Sequence, residues 1–228
     1  IINELTIETR VRPVFDEGEL YTWNGRIWEL MPEEDIEKRV TARFDGQTHC
    51  RKKPEYQQIV KHVCSLCRCR NYFADAPFGV VTPNGFRRLE SDGRWSEEQP
   101  DPGQRQRFGL SVDPEDVATP MWDLYLEETL DTGIPEEGQE QIHVLQELAG
   151  SSIAGLGTRF HIAALFKGEG ATGKSTTLSV IEAFCPSHYV SAVSPMDWSN
   201  RNELAGIVGK RLNIVGELEV NQKIPSAV

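Results

Sequence analysis

The residues best suited to chemistry in this chain lie at 168–175, where Gly168, Gly173, Lys174 and Ser175 fit the pattern GxxxxGK[ST] and Gly170 adds a third glycine. Each residue type has a physical reason to be there. The glycines let the backbone curl so that successive N–H groups converge on a β-phosphate at the amino end of a following helix, whose dipole also favours an anion. Lys174 supplies a mobile cation for the β- and γ-phosphates, and the Ser175 hydroxyl suits Mg²⁺. Ala171, Thr172 and Thr176 complete the loop. Its flanks agree with this reading. The apolar run 160–166 has the pattern of a strand, and 176–184 that of an amphipathic helix with Leu178, Ile181 and Ala183 or Phe184 turned inward. The sequence therefore points to a phosphate-binding loop with ATP and Mg²⁺ as its ligands.

A nucleotide hydrolase of this type also needs a carboxylate at the end of a neighbouring strand, to hold Mg²⁺ and polarise the attacking water. The apolar run 212–215 leads through Gly216 to Glu217, which is the first choice for both duties, with Glu219 the second. A solvated glutamate pair after a strand is the plainer alternative.

The other group with ligand chemistry is Cys64, Cys67 and Cys69, with His62 beside it and His49 and Cys50 upstream. Spacing favours packing over metal binding. Cys64 and Cys67 continue a helical apolar face begun by Tyr56 and Ile59, and a free cysteine behaves as a small hydrophobe. No second CxxC or HxxxH pair completes four ligands, so no metal is expected there. The fifth cysteine, Cys185, lies far from the rest; an odd, bunched set is not a secreted disulfide framework, and a reducing, cytoplasmic setting is expected.

The net charge of −11 argues against a nucleic-acid-binding surface over the whole chain, but it is unevenly placed. From Asp113 to Glu147 there are eleven Asp or Glu and no Lys or Arg; the remaining 24 acids equal the 24 basic residues. One segment thus carries the entire excess. Arg51, Lys52, Lys53, Lys61, Arg68 and Arg70, opposed by Glu55 alone, form a local basic patch beside Tyr56 and Tyr72. That patch is either a solvated helix face or a weak phosphate contact.

Positioning these groups takes a folded scaffold, and 228 residues with 39% hydrophobic and 26% charged composition suffice for one large domain or one and a half small ones. No stretch approaches the length of a membrane-spanning helix, and Ile1, Ile2, Asn3 and Glu4 do not begin a secretory signal. Residues 20–23 and 26–30 flank Asn24 and Gly25, the pattern of a hairpin closed by a two-residue type I′ turn. Pro32 then opens a helix with Ile36, Val40 and Phe44 on one face, and a second helix starts at Pro54. Strand-like runs follow at 78–82 and 86–89, separated by Pro83, Asn84 and Gly85, with another turn at Asp92 and Gly93. The polar stretch 97–109, with Pro100, Pro102, Gly103 and Gly109, has the composition of a linker or domain edge. Helical faces return with Trp122, Tyr125, Leu126 and Leu130, and with Ile142, Leu145, Leu148 and Ala149. Beyond Gly157 strands at 160–166, 189–193 and 212–215 alternate with helices, which predicts a parallel sheet.

The glycine loop, its spacing to 204–217 with Gly209, Lys210 and Arg211 at the start of the last strand, and the segments 122–130 and 141–150 together resemble the phage and plasmid primase-helicases of helicase superfamily 3. Residues 21–95, with the hairpin between Trp23 and Trp28 and the turn at Asn84 and Gly85, resemble the small amino-terminal module also seen in poxvirus primase-helicase. Thr172 departs from the family, which more often has Asn there. The resemblance implies an α/β fold: an AAA+-like P-loop ATPase parallel sheet over 158–228, incomplete at the C-terminus, preceded by an α+β module over 1–110 and an acidic helical connector over 111–157. It implies an ATP-dependent DNA helicase of a phage or plasmid replication system in the bacterial cytoplasm, a homo-hexamer translocating on single-stranded DNA with no membrane partner. It also implies a sensor residue, a DNA-contacting hairpin and an arginine finger beyond Val228. The chain is accordingly expected to be the front of a longer helicase that grips DNA mainly through those later residues. Two other classes stay open: a P-loop small-molecule kinase, which usually carries its loop near the amino end, and a non-enzymatic ATP-binding adaptor.

Overall fold

A computed structural model describes residues 1–47, 52–113, 118–157 and 163–216. The chain divides into two units, Ile1–Asp113 and Pro114–Val228. It is mixed α/β with small antiparallel sheets, without a closed barrel among the described residues. Among those residues no helix is long and apolar enough to cross a membrane.

The first unit opens with helix α1 (Ile2–Thr9), followed by strands β1 (Val14–Asp16), β2 (Glu19–Trp23) and β3 (Trp28–Met31) in an antiparallel meander. The expected hairpin is present but its turn is not a two-residue one. Trp23 pairs with Trp28, so Asn24 to Ile27 form a four-residue loop. The Asn24 side chain explains the difference: its Oδ1 accepts the N–H of Arg26 at 2.8 Å and of Ile27 at 2.9 Å, turning the chain while Gly25 alone takes a positive φ of 99°. The two-residue turn with both φ values positive lies one hairpin earlier, at Glu17 (52°) and Gly18 (89°), between paired Asp16 and Glu19.

Alternation along β2 sends its side chains to two cores. Leu20 joins Ile36 and Val40 of helix α2 (Glu33–Phe44) and Val60 of helix α3 (Lys53–Leu66), with Cys67 at the helix end. Tyr21 and Trp23 face the other way, into Val14, Trp28 and Phe73. Trp28 is the centre of that second cluster, edge-on to Trp23, Tyr72 and Phe73 at centroid distances of 5.9, 5.3 and 6.2 Å.

In a second meander, β4 (Gly79–Thr82) and β5 (Gly85–Leu89) match the strand-like runs read from the sequence, and β6 (Trp95–Glu98), which was not among them, pairs with β5. The stretch after it is not a linker. Phe108 is 1% exposed, Gln104 and Gln106 are buried, and Trp28 donates its backbone N–H to Gln106 O at 2.7 Å and its indole N–H to Pro102 O at 2.9 Å. The polar composition misleads because each buried amide finds backbone partners: Gln106 Nε2 donates to Pro77 O at 2.7 Å and Gln104 Nε2 to Gln99 O at 2.9 Å.

The second unit contains helices α4 (Pro120–Thr129), α5 (Pro135–Ala154), α6 (Lys174–Ala183) and the short α7 (Arg201–Leu204). Leu126, Ile142, Leu145 and Ile181 form its core, with Trp122, Tyr125, Phe166 and Leu212 packed against them. Strands β7 (Val190–Ser191) and β8 (Leu212–Asn213) pair in parallel. That is a two-stranded parallel sheet only. Of the strand expected at 160–166, residues 163–166 have no strand pairing, and Leu165 is 77% exposed; the rest lies outside the described residues.

Candidate nucleotide-binding loop

The glycine loop turns on two left-handed residues, Ala171 at φ 60° and Gly173 at 81°. Glycine is required at 173 for space as well as conformation. A Cβ there would lie 2.6 Å from the Tyr125 hydroxyl and 3.0 Å from Thr129 Cγ2. Gly173 is also the N-cap of α6 and has no side chain to cap it. The first intrahelical bond runs from Thr177 N to Gly173 O at 2.9 Å, so the N–H groups of Lys174, Ser175 and Thr176 have no partner within the helix. They lie at the positive end of the helix dipole, which favours an anion.

The Lys174 side chain folds back over its own loop. Its Nζ donates to Gly168 O at 3.1 Å, to Thr172 Oγ1 at 3.0 Å and to Glu169 O, while Thr172 Oγ1 donates to Glu169 O at 2.9 Å. A cation thus spans the mouth of the loop and holds its two limbs together through neutral oxygens, which an anionic phosphate would replace as a stronger acceptor. Ser175 and Thr176 are exposed in the first turn of α6, beside Lys174. Thr172 therefore serves as a loop hydroxyl bonded at both ends. These residues suit a phosphate chain: three first-turn amides, one ammonium, and a hydroxyl free to ligate a divalent cation.

Thr177 and Ile181, at i and i+4, are buried on the inward side of α6, and Cys185, two residues past its end, is buried as well. The sequence placed Ala183 or Phe184 there, but both are exposed, and Leu178 is half-buried. The stripe is set by Thr177, which the apolar pattern passed over. A threonine packs inward here because its hydroxyl lies 3.1 Å from the Tyr125 hydroxyl. Tyr125 also donates to Gly173 O at 2.7 Å. The sequence marked Tyr125 only as part of an apolar helix face; the available hint was that a tyrosine in such a face needs a partner for its hydroxyl.

Downstream, Asn213 of β8 stitches its strand to the chain after β7. Its Oδ1 accepts from Val193 N and from Ser191 Oγ, each at 2.8 Å, and its Nδ2 donates to Val193 O at 3.0 Å. Lys210 Nζ donates to His188 O at 2.6 Å. The candidate water-polarising residues Glu217 and Glu219 lie outside the described residues.

The other candidate groups lie in the first unit. Cys67 is buried in the core beside Val60 and Val40, Cys64 packs against that cluster, and Cys69 is exposed. Desolvation raises the Cys64 and Cys67 thiols above their ordinary values, which disfavours the thiolate that metal ligation needs. Among the described residues no cluster of three or more His, Cys, Asp or Glu is arranged to hold a metal ion. Lys52, Lys53, Lys61, Arg68 and Arg70 of the basic patch are exposed on α3 and the chain next to it, with the Arg68 guanidinium 5.7 Å from the Phe15 ring centre; Arg51 lies outside the described residues. No protein-family model matches the chain, and no curated protein matches it significantly.

Proposed function

We propose that this chain binds ATP with Mg²⁺ at residues 168–176 and acts in an ATP-dependent DNA helicase of a phage or plasmid replication system. The observation that carries the nucleotide reading is the Lys174 ammonium folded over the mouth of a left-handed glycine loop, directly ahead of the uncapped first turn of α6. In this reading Lys174 neutralises charge on the β- and γ-phosphates, the N–H groups of the first turn hold the β-phosphate, and the Ser175 hydroxyl ligates Mg²⁺. The metal would supply further neutralisation of the phosphate oxygens. Glu217 is assigned as the Mg²⁺-side carboxylate that polarises the attacking water, with Glu219 the alternative. The fold belonging to this function is a parallel P-loop ATPase sheet, of which β7 and β8 would be two strands.

The helicase assignment, the single-stranded DNA partner and the homo-hexamer rest on the sequence resemblance. The deciding experiment measures ATP hydrolysis by the protein with and without single-stranded DNA. Stimulation by DNA, lost in Lys174→Ala and in Glu217→Gln, is the expected result. Hydrolysis indifferent to DNA, or phosphoryl transfer to a nucleoside instead of water, would replace the helicase reading with a kinase one. ATP binding with no turnover would leave the adaptor.

A further inference from the structure

The carbonyl of Gly173 is shared by two donors, the backbone N–H of Thr177 at 2.9 Å and the phenol of Tyr125 at 2.7 Å. The phenol has one proton, and giving it to Gly173 O leaves its oxygen to accept from Thr177 Oγ1 at 3.1 Å. Thr177 is 4% exposed, so this three-membered chain is shut in on the core side of α6. Tyr125 is itself held by Trp122, stacked on it at a centroid distance of 5.2 Å and an interplanar angle of 20°.

The peptide between Gly173 and Lys174 is trans, so its carbonyl and its N–H point in opposite directions. Holding the carbonyl toward α4 aims the Lys174 N–H away from it. The same bond restrains the backbone at Gly173, whose left-handed φ of 81° glycine leaves readily because it has no Cβ to enforce one basin. We infer that Tyr125 is a positioning residue for the phosphate-binding loop: its phenolic O–H, by holding the Gly173 carbonyl, keeps the loop in the turn that presents its N–H groups to a phosphate chain. This rests on the nucleotide reading above and adds a residue outside the glycine motif to it. Tyr125 touches no phosphate; its effect passes through the Gly173 peptide.

The test titrates the full 228-residue chain with MgATP and, separately, with inorganic pyrophosphate, which engages the loop and no base or sugar pocket. Tyr125→Phe keeps the ring and its stacking and removes only the hydroxyl; it is expected to weaken both ligands by the same factor, about fivefold to tenfold. Ile181→Val, in the same core cluster, serves as the stability control and is expected to lower the melting temperature while keeping parental affinity. If Ile181→Val weakens binding as much as Tyr125→Phe does, the effect is general loosening and the inference is overturned. A Tyr125→Phe loss for MgATP but not for pyrophosphate would place the phenol at the nucleoside and also overturn it. Should Tyr125→Phe not fold, Thr177→Val strips the phenol of its own donor and is expected to weaken pyrophosphate about threefold; parental affinity would refute the role. Lys174→Ala separates the two levels. Binding by the parent, its loss in Lys174→Ala and parental affinity in Tyr125→Phe would refute the clamp alone, whereas a parent that binds neither ligand would take the loop reading down with it.

Discussion

The two units are described over stretches of similar length yet hold their cores differently. Of the buried apolar residues described, fifteen precede Asp113 and six follow it. The first unit closes two antiparallel meanders around Trp28 and Phe86, each strand joined to the next by a short turn. In the second, β7 and β8 pair across an intervening helix. Local pairing completes a core from neighbouring residues, whereas a parallel sheet needs partners brought from far along the chain. Chemistry differs as well: the first unit concentrates aromatics around Trp28, and the second offers the uncapped first turn of α6.

The largest expected effect tests how far the first unit depends on one aromatic centre. Trp28→Ala should cost about 3–5 kcal/mol of that unit's stability, from lost packing and cavity formation. Denaturant unfolding should show the first unit melting early while MgATP still shifts the second; one transition unaltered by the mutation would sink the comparison. Next in size, MgATP at a hundredfold excess over its Kd should stabilise the second unit by about 2.7 kcal/mol, and Lys174→Ala should remove that gain. A mutant whose melting temperature answers ATP as the parent's does would show that the loop is structural.

A smaller effect concerns Asp16, 7% exposed, whose carboxylate accepts from Asn71 N at 3.0 Å and Phe73 N at 3.4 Å. Asp16→Ala should cost about 1–3 kcal/mol by leaving those amides without partners. An unchanged urea midpoint would mean the loop carrying Phe73 is held by ring packing alone. The smallest effect is with pH. Burial raises the thiols of Cys64, Cys67 and Cys185 above their ordinary 9.0, so the native state favours the protonated form. Their contribution is fully present below that ordinary value and is lost as pH climbs through the higher native one. Urea midpoints should decline slightly from about pH 8 to pH 10, and a midpoint that rises instead would contradict the assignment.

What could be read from the sequence follows the same contrast. Strands β2 to β5 and helices α2, α3, α4 and α5 were legible because period-two and period-3.6 patterns are local properties of the chain; β1 and β6 were not among the runs so marked. The first hairpin's turn was misjudged because Asn24 can either adopt a positive φ or bond its own backbone, and sequence does not choose between them. The stretch 97–109 was misread because burial of Gln104 and Gln106 depends on carbonyls that only the folded chain supplies. At the candidate site, the roles of Gly173 and Lys174 are written in the glycine motif. Tyr125 and Thr177 were missed as its neighbours because their link crosses 52 residues and leaves no spacing signature.

One feature of the first unit bears on the order of events in time. The N–H of Phe15 donates to Cys67 O at 2.8 Å, and the N–H of Cys69 donates back to Phe15 O at 3.0 Å, so β1 is clasped to the far end of α3. The β1–β2–β3 meander forms from adjacent residues, within microseconds by general experience. The clasp must wait until α2 and α3 are laid down between its halves, because it closes a long loop whose entropy is repaid only by the packed helices. It is therefore a late step in folding and an early one in opening. Both cysteines lend backbone groups to the clasp, but Cys67 is buried and Cys69 exposed, so a thiol reagent would modify Cys69 at once and Cys67 only at the rate at which the clasp parts, giving a clock for that single event within an otherwise intact fold.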